Sequence, residues 1–202
     1  MKKLIVGMTG ATGAPLTVRM LKLLHELEVE THLIMSPWAK ATLRQECDMS
    51  LDTLQSYASV VHDARNQGAT VSSGSFRTDG MIVVPCSMKT LAAIRVGYAD
   101  NLIARAADVI LKERRKLVLV ARESPLSSIH LENMLHLSNL GAIMFPPVPA
   151  FYNNPQSIDD ILDHIAARIL DQFDIDYPAA KRWGGMREAH AERTELACRV
   201  HR

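Results

Sequence analysis

Aromatic side chains make up only 5% of this 202-residue chain. That is too few for the stacking platform on which single-stranded nucleic acid is read. An excess of one charge is also missing: 23 Lys and Arg stand against 22 Asp and Glu, for a formal net charge of +1. Bulk electrostatics therefore points to neither nucleic acid nor an anionic membrane as partner. The three cysteines, Cys47, Cys86 and Cys198, match neither a metal site nor a redox pair in their spacing. An odd, scattered set fits a reducing compartment better than a disulfide framework. No run approaches the roughly 18 apolar residues of a membrane helix. The apolar part of the start, MKKLIVGM, is too short for a secretory signal. The expected location is the cytoplasm.

What is present is an alternation of two patterns. Lys3–Met8, ETHLIMS, GMIVVPCS, KLVLVAR and AIMFPPVPAFY are short apolar runs and read as buried strands, the last running into a proline-rich loop. Between them lie stretches with helical spacing. Val18, Leu21, Leu24 and Leu27 form one stripe, and Leu102, Ala106, Val109 and Ile110 another. Helix starts are marked by Pro15, by Ser36 with Pro37, by Ser87, and by Ser157 with Asp160; Gly141 marks an end. SLDTLQSYAS reads as a short helix, and Val60–Asp79 as loop with room for one edge strand. Strands that are apolar throughout and alternate with helices predict an α/β fold with a mainly parallel sheet covered on both faces. At 22.4 kDa the chain suffices for one domain. Its expected extent is 1–183, followed by a polar tail, 184–202, expected as a frayed helix or disorder.

The turn Thr9–Ala14, within VGMTGATGAPL, follows the first strand. In open parallel sheets, ligands bind outside the carboxyl ends of the strands. Backbone N–H groups at the start of the next helix favour an anion there, and small residues allow a phosphate to approach closely. Thr9 and Thr12 add hydroxyls. The same turn without a ligand is simply a tight connection. It carries neither the dinucleotide spacing G-x-G-x-x-G nor a Gly-Lys-Ser/Thr phosphate loop. Ser36 ends the second strand, and Ser87, Met88, Lys89 and Thr90 stand at the mouth of the third. Each hydroxyl alone suits a helix cap; three along one edge suit a phosphate cradle.

The stretches VGMTGATGA, LIMS, SSGSFRTDGMIVVPCSMKTLAAI, DNLIARAADVILKERRKLVLVARESPLSSIHLENML, GAIMFPPVPAFYNNPQSIDDI and RILDQF together resemble the UbiX/Pad-type flavin prenyltransferases, in register from Met1 to about Trp183. The resemblance implies a flavodoxin-like (Rossmann-like) three-layer α/β/α sandwich assembled as a dodecamer, with FMN at the strand ends near subunit contacts. It implies transfer of a dimethylallyl group from dimethylallyl phosphate to N5 and then C6 of reduced FMN, without a metal. The prenylated FMN would pass to a UbiD-type aromatic acid decarboxylase. Gly10, Ala11 and Thr12, Ser36, the Ser87–Met88–Lys89–Thr90 stretch and Arg122 would hold the flavin. Lys112, Arg122, Glu123, Tyr152 and Arg168 would take the donor phosphate. Glu46 matches a carboxylate near the reacting edge of the flavin, and the catalytic set would be Glu46, Glu123, Lys112 and Arg122. Thr12 departs from the serine many members carry there; its methyl crowds the turn.

Chemistry makes sense of that set. Breaking an allylic C–O bond leaves a phosphate dianion, and aspartate-rich magnesium motifs are not evident: Asp159 and Asp160 sit where a capping role suffices. Stabilisation then falls to cationic side chains, and arginine grips phosphate with two parallel bonds. Taken singly, each residue has a plainer reading. Lys112 lies in the charge run LKERRK, Arg122 and Glu123 form a surface pair, Arg168 can pair with Asp171, and Tyr152 can pack. A carboxylate beside bound phosphate would have a raised pKa. The eight histidines read as structural. Two alternatives stand beside the main reading. An FMN-dependent cysteine-type decarboxylase shares the fold and the segment Asp100–Ile103, but would need a Pro-x-Met-Asn motif where this chain has PPVPAFYNN. A non-catalytic FMN-binding subunit of a decarboxylase would need no donor-phosphate residues. A nicotinamide oxidoreductase is disfavoured by the first turn and by Met35–Ser36 at the second strand end.

Overall fold

The computed structural model describes residues 1–186. Six parallel strands form one sheet: β1 (Lys3–Met8), β2 (Glu30–Met35), β3 (Val60–Asp63), β4 (Gly80–Cys86), β5 (Lys116–Ala121) and β6 (Ile143–Met144). Among the described residues seven α-helices connect and cover them: α1 (Ala14–Glu26), α2 (Pro37–Glu46), α3 (Leu51–Gln55), α4 (Met88–Val96), α5 (Leu102–Lys112), α6 (Ser128–Asn139) and α7 (Ile158–Asp171). The sheet order is β3-β2-β1-β4-β5-β6. Without its short edge strand β3, the order reduces to the flavodoxin-like pattern; with it, the order is that of the dinucleotide-binding folds.

Each long strand is apolar throughout because both its faces are covered. Leu4, Val6 and Met8 of β1, Ile82 and Val84 of β4, and Val118 and Val120 of β5 pack into one core with α1, α2, α3 and α7. Ile5, Met81, Val83, Leu117 and Leu119 point the other way, into a second core with α4, α5 and α6. Helix starts follow the chemistry of their caps: Ser36, Ser50, Ser87, Asn101, Ser127 and Ser157 each accept a backbone N–H of the following turn. At Ser157 the bond is reciprocated by Asp160.

β3 is the four-residue edge strand for which the stretch Val60–Asp79 left room. Two elements differ from the sequence expectation. β6 is cut to two residues, because Pro146, Pro147 and Pro149 offer no N–H to continue a ladder. α6 ends at Asn139 and is capped by Leu140, so Gly141, at φ +94, lies one residue beyond the cap. Of the expected tail 184–202, the part from 187 on, with Cys198, lies outside the described residues.

Candidate active site at the sheet switch point

β1 and β4 are neighbours in the sheet, yet α1 and α4 leave them for opposite faces. A crevice opens where such connections diverge. Thr9, 2% exposed, ties its two banks together. Its hydroxyl donates to the Pro85 carbonyl at 2.7 Å and accepts from the Ser87 N–H at 2.9 Å. On the other side the Ser36 N–H donates to the Met8 carbonyl at 3.0 Å. The carboxyl ends of β1, β2 and β4 are thus fixed relative to one another before any ligand arrives.

The anion expected at the start of α1 is there, and it belongs to the protein. Gly13 caps α1 with φ +120, a conformation that glycine accepts and L side chains rarely do, and so brings no side chain to the helix start. Glu46, the last residue of α2, fills the vacancy. Its Oε2 accepts the N–H groups of Gly13 and Ala14, each at 2.8 Å. Burial pushes the Glu46 carboxyl up. The Thr12 hydroxyl, the two backbone donors and the nearby Arg122 guanidinium outweigh burial and hold it below its ordinary value. Glu46 is therefore a stabilised anion.

Gly10 supplies close approach. A Cβ built on it would lie 2.4 Å from the Trp38 Cβ, so the turn presses directly on the first residues of α2. Thr42 fastens the contact, its hydroxyl donating to the Gly10 carbonyl at 3.2 Å. Trp38, 76% exposed, stands beside this floor as a flat apolar surface; the sequence reading missed it, and the only signal was an aromatic directly behind the capping Ser36 and Pro37. Ser36 accepts the Ala39 N–H at 3.0 Å, which leaves its own O–H for a ligand. The Ser87 hydroxyl is committed to Thr90, at 3.2 Å. Met88 packs against the second core, and Lys89, exposed, reaches to within 3.9 Å of Asp100.

The residues expected to take a donor phosphate fall in three places. Arg122 follows β5, its N–H donating to the Cys86 carbonyl at 3.3 Å, and its charge faces Glu46. Glu123 beside it is exposed and accepts the Ser124 N–H at 3.2 Å. Tyr152 and Arg168 line a cavity of about 350 Å³ with His164, Lys181, Arg182 and Trp183. Arg168 and Arg182 both pair with Asp171. Lys112 closes α5, in the other helical layer, and contacts Glu113 near Gly74. One chain therefore brings Thr12, Glu46 and Arg122 together, and Tyr152 with Arg168, but not Lys112 with either group. Among the described residues no group of three or more His, Cys, Asp or Glu side chains could hold a metal ion, and no helix is long and apolar enough to cross a membrane.

Comparison with known proteins decides what this arrangement belongs to. The family model described as Flavoprotein matches residues 1–170. Over 190 residues, 94% of this chain and 95% of the relative, the chain is 63% identical to a probable UbiX-like flavin prenyltransferase of Streptomyces sp. (strain D7). The chain belongs to the UbiX-like flavin prenyltransferases. Within that family, AnUbiX (PadA1), solved in complex with FMN and dimethylallyl pyrophosphate, superposes with a TM-score of 0.90 at 56% identity, over 92% of this chain and 98% of that one. A dodecameric FMN-dependent UbiX-like decarboxylase from Escherichia coli O157:H7 superposes at 0.89 with 63% identity, over 91% of this chain and 100% of that one. FMN-dependent cysteine decarboxylases match at TM-scores of 0.58 to 0.60 and only 14–18% identity, a likeness of fold alone.

Proposed function

We propose that this chain joins a dimethylallyl group to N5 and then C6 of reduced FMN, taking the group from dimethylallyl phosphate. The observation that carries the reading is the near-full-length likeness, at 56% identity, to a relative solved with FMN and dimethylallyl pyrophosphate. The crevice at the switch point fits a flavin. Its floor is the bare Gly10–Ala11 turn pressed on α2, Trp38 offers a flat neighbour, and the Ser36 O–H is free. Gly10, Ala11, Thr12, Ser36, the Ser87–Thr90 stretch and Arg122 hold FMN in this reading. Reduced FMN, as substrate, supplies both nucleophilic atoms, so the chain needs no nucleophile of its own.

The chain's task is to receive the leaving phosphate and to manage protons. Lys112, Arg122 and Arg168 supply positive charge, and Tyr152 a phenolic donor. Donors preorganised toward developing charge contribute roughly 3–4 kcal/mol each. Glu46 and Glu123 are the acid–base candidates; Glu46 is held in its ionised form by Thr12, Gly13, Ala14 and Arg122. Lys112 and Arg168 lie in opposite helical layers, which supports a donor site completed by neighbouring copies, as in a dodecamer. The product, prenylated FMN, serves a UbiD-type aromatic acid decarboxylase in the cytoplasm.

The test is direct. Purified protein is incubated with reduced FMN and either dimethylallyl phosphate or dimethylallyl pyrophosphate, with no decarboxylase present. The flavin gains the mass of one isoprenyl unit if the reading is right. Folded, FMN-loaded protein that leaves the flavin unchanged with both donors would instead be a binding subunit.

A further inference from the structure

The cavity beside α7 holds a polar contact to which the reaction has so far assigned no task. His164 is only 8% exposed, and its Nε2 lies 3.1 Å from the Tyr152 hydroxyl. The two rings meet edge-on, 5.4 Å apart at 86°. Trp183 packs on Tyr152 as well, at 5.3 Å and 79°, so the phenol is held on two sides. With Nε2 facing Tyr152, the other ring nitrogen is left for the backbone carbonyl of Lys181. Burial holds His164 below its usual pKa, and the Arg168 charge acts in the same direction, against smaller opposing effects of Lys181 and Asp171. Burial thus favours the neutral imidazole. With Nδ1 carrying the proton toward the Lys181 backbone, Nε2 accepts the Tyr152 proton. A phenol committed in this way offers an incoming anion only lone pairs.

We propose that His164 is a positioning residue that turns the Tyr152 hydroxyl toward the donor phosphate by taking up a proton as the phosphate binds. The proposal rests on the reading of this cavity as part of the donor-phosphate site. The charged and titratable neighbours are Arg168 and Asp171 on α7, Lys181 and Arg182 in the chain beyond it, and, across on α1, Arg19, which is paired with Asp163 and Tyr177. In the free cavity the cations oppose a further positive charge. A phosphate dianion among them reverses that balance and favours imidazolium. The ring then donates from Nε2 to the phenolic oxygen, and the phenol hydrogen points at a phosphate oxygen. The proton comes from solvent, and only an N–H bond is made.

Calorimetry in two buffers of different ionisation enthalpy measures the proton directly. Dimethylallyl phosphate and, separately, inorganic phosphate are titrated into wild type, His164→Gln and His164→Phe. Glutamine can still bond Tyr152 but cannot ionise. At pH 7.5, where a phosphomonoester is already almost fully dianionic, wild type should take up more protons than His164→Gln. His164→Phe should weaken binding of the phosphate about tenfold, with the loss on KM for the donor and much less on kcat. His164→Gln should recover part of that affinity without proton uptake. Equal uptake in wild type and His164→Gln overturns the proposal, as does a folded His164→Phe that binds phosphate as tightly as wild type. Donor bound with His164-dependent uptake, but no prenylated flavin, would instead refute the reaction and leave this role standing. Wild type that binds neither phosphate refutes both.

Discussion

Glu46 lies 33 positions from Gly13, yet its carboxylate takes the place of the cap that glycine cannot supply. Its pKa in the folded chain is lowered from the ordinary 4.5. A group shifted in that direction stabilises the fold above its unfolded pKa and ceases to do so as the pH falls through the folded one. Glu46→Gln should therefore cost about 1 kcal/mol near neutral pH, and the gap to wild type should close as the pH drops below about 4.5. Thermal melts of both proteins across that range check it; a gap that widens in acid speaks against the capping role. Cys86 behaves in the opposite sense. Burial alone pushes its thiol up to about 12, so almost no thiolate exists at pH 8. Iodoacetamide should leave Cys86 unmodified in the native protein and label it once the chain is denatured, as peptide mass mapping would show.

Among the elements, the junction of β1 and β4 depends on a single hydroxyl. Thr9→Val keeps the shape but removes the partner of the half-buried Ser87 N–H and one of two donors to the buried Pro85 carbonyl, which keeps the Thr9 N–H. Leaving such a donor unpaired costs about 1–3 kcal/mol, a fall in Tm of about 3–10 °C, and the crevice should bind FMN more weakly. A variant that melts and binds FMN as wild type does would show the bridge to be dispensable. Helix starts are legible in the sequence because a cap is local: Ser36, Ser87 and Ser157 act within three residues of themselves. The long strands are legible because burial on both faces leaves no polar positions. β3 is legible only as room for an edge strand, since an exposed edge of four residues makes too short a run to fix its bounds, and β6 is overread because its prolines look apolar. The pairing of Glu46 with α1 has no local trace at all, and neither has the pressure of Gly10 on Trp38; both depend on α2 folding back over the first turn. Carry-over from family motifs names Glu46 but not the atoms it meets.

At the scale of the whole molecule, the separation of Lys112 from Tyr152 and Arg168 is the feature with the sharpest test. Lys112→Ala and Arg168→Ala should each be nearly inactive alone. If the donor site is shared between copies, mixed assemblies recover activity, because some sites draw each intact residue from a different chain. Random mixing of equal amounts gives about a quarter of wild-type activity. No recovery after co-expression would remove Lys112 from the donor site, since one chain does not bring it to Tyr152 and Arg168. Glu46, finally, governs how the molecule meets its medium. Bare helix starts collect sulfate and phosphate from any solution. A protein that keeps its own carboxylate at that spot is indifferent to such passing ions, so the shape of the turn stays constant whatever salts surround it. Only a visitor able to renegotiate the bonds of Thr12 and Arg122 can alter it.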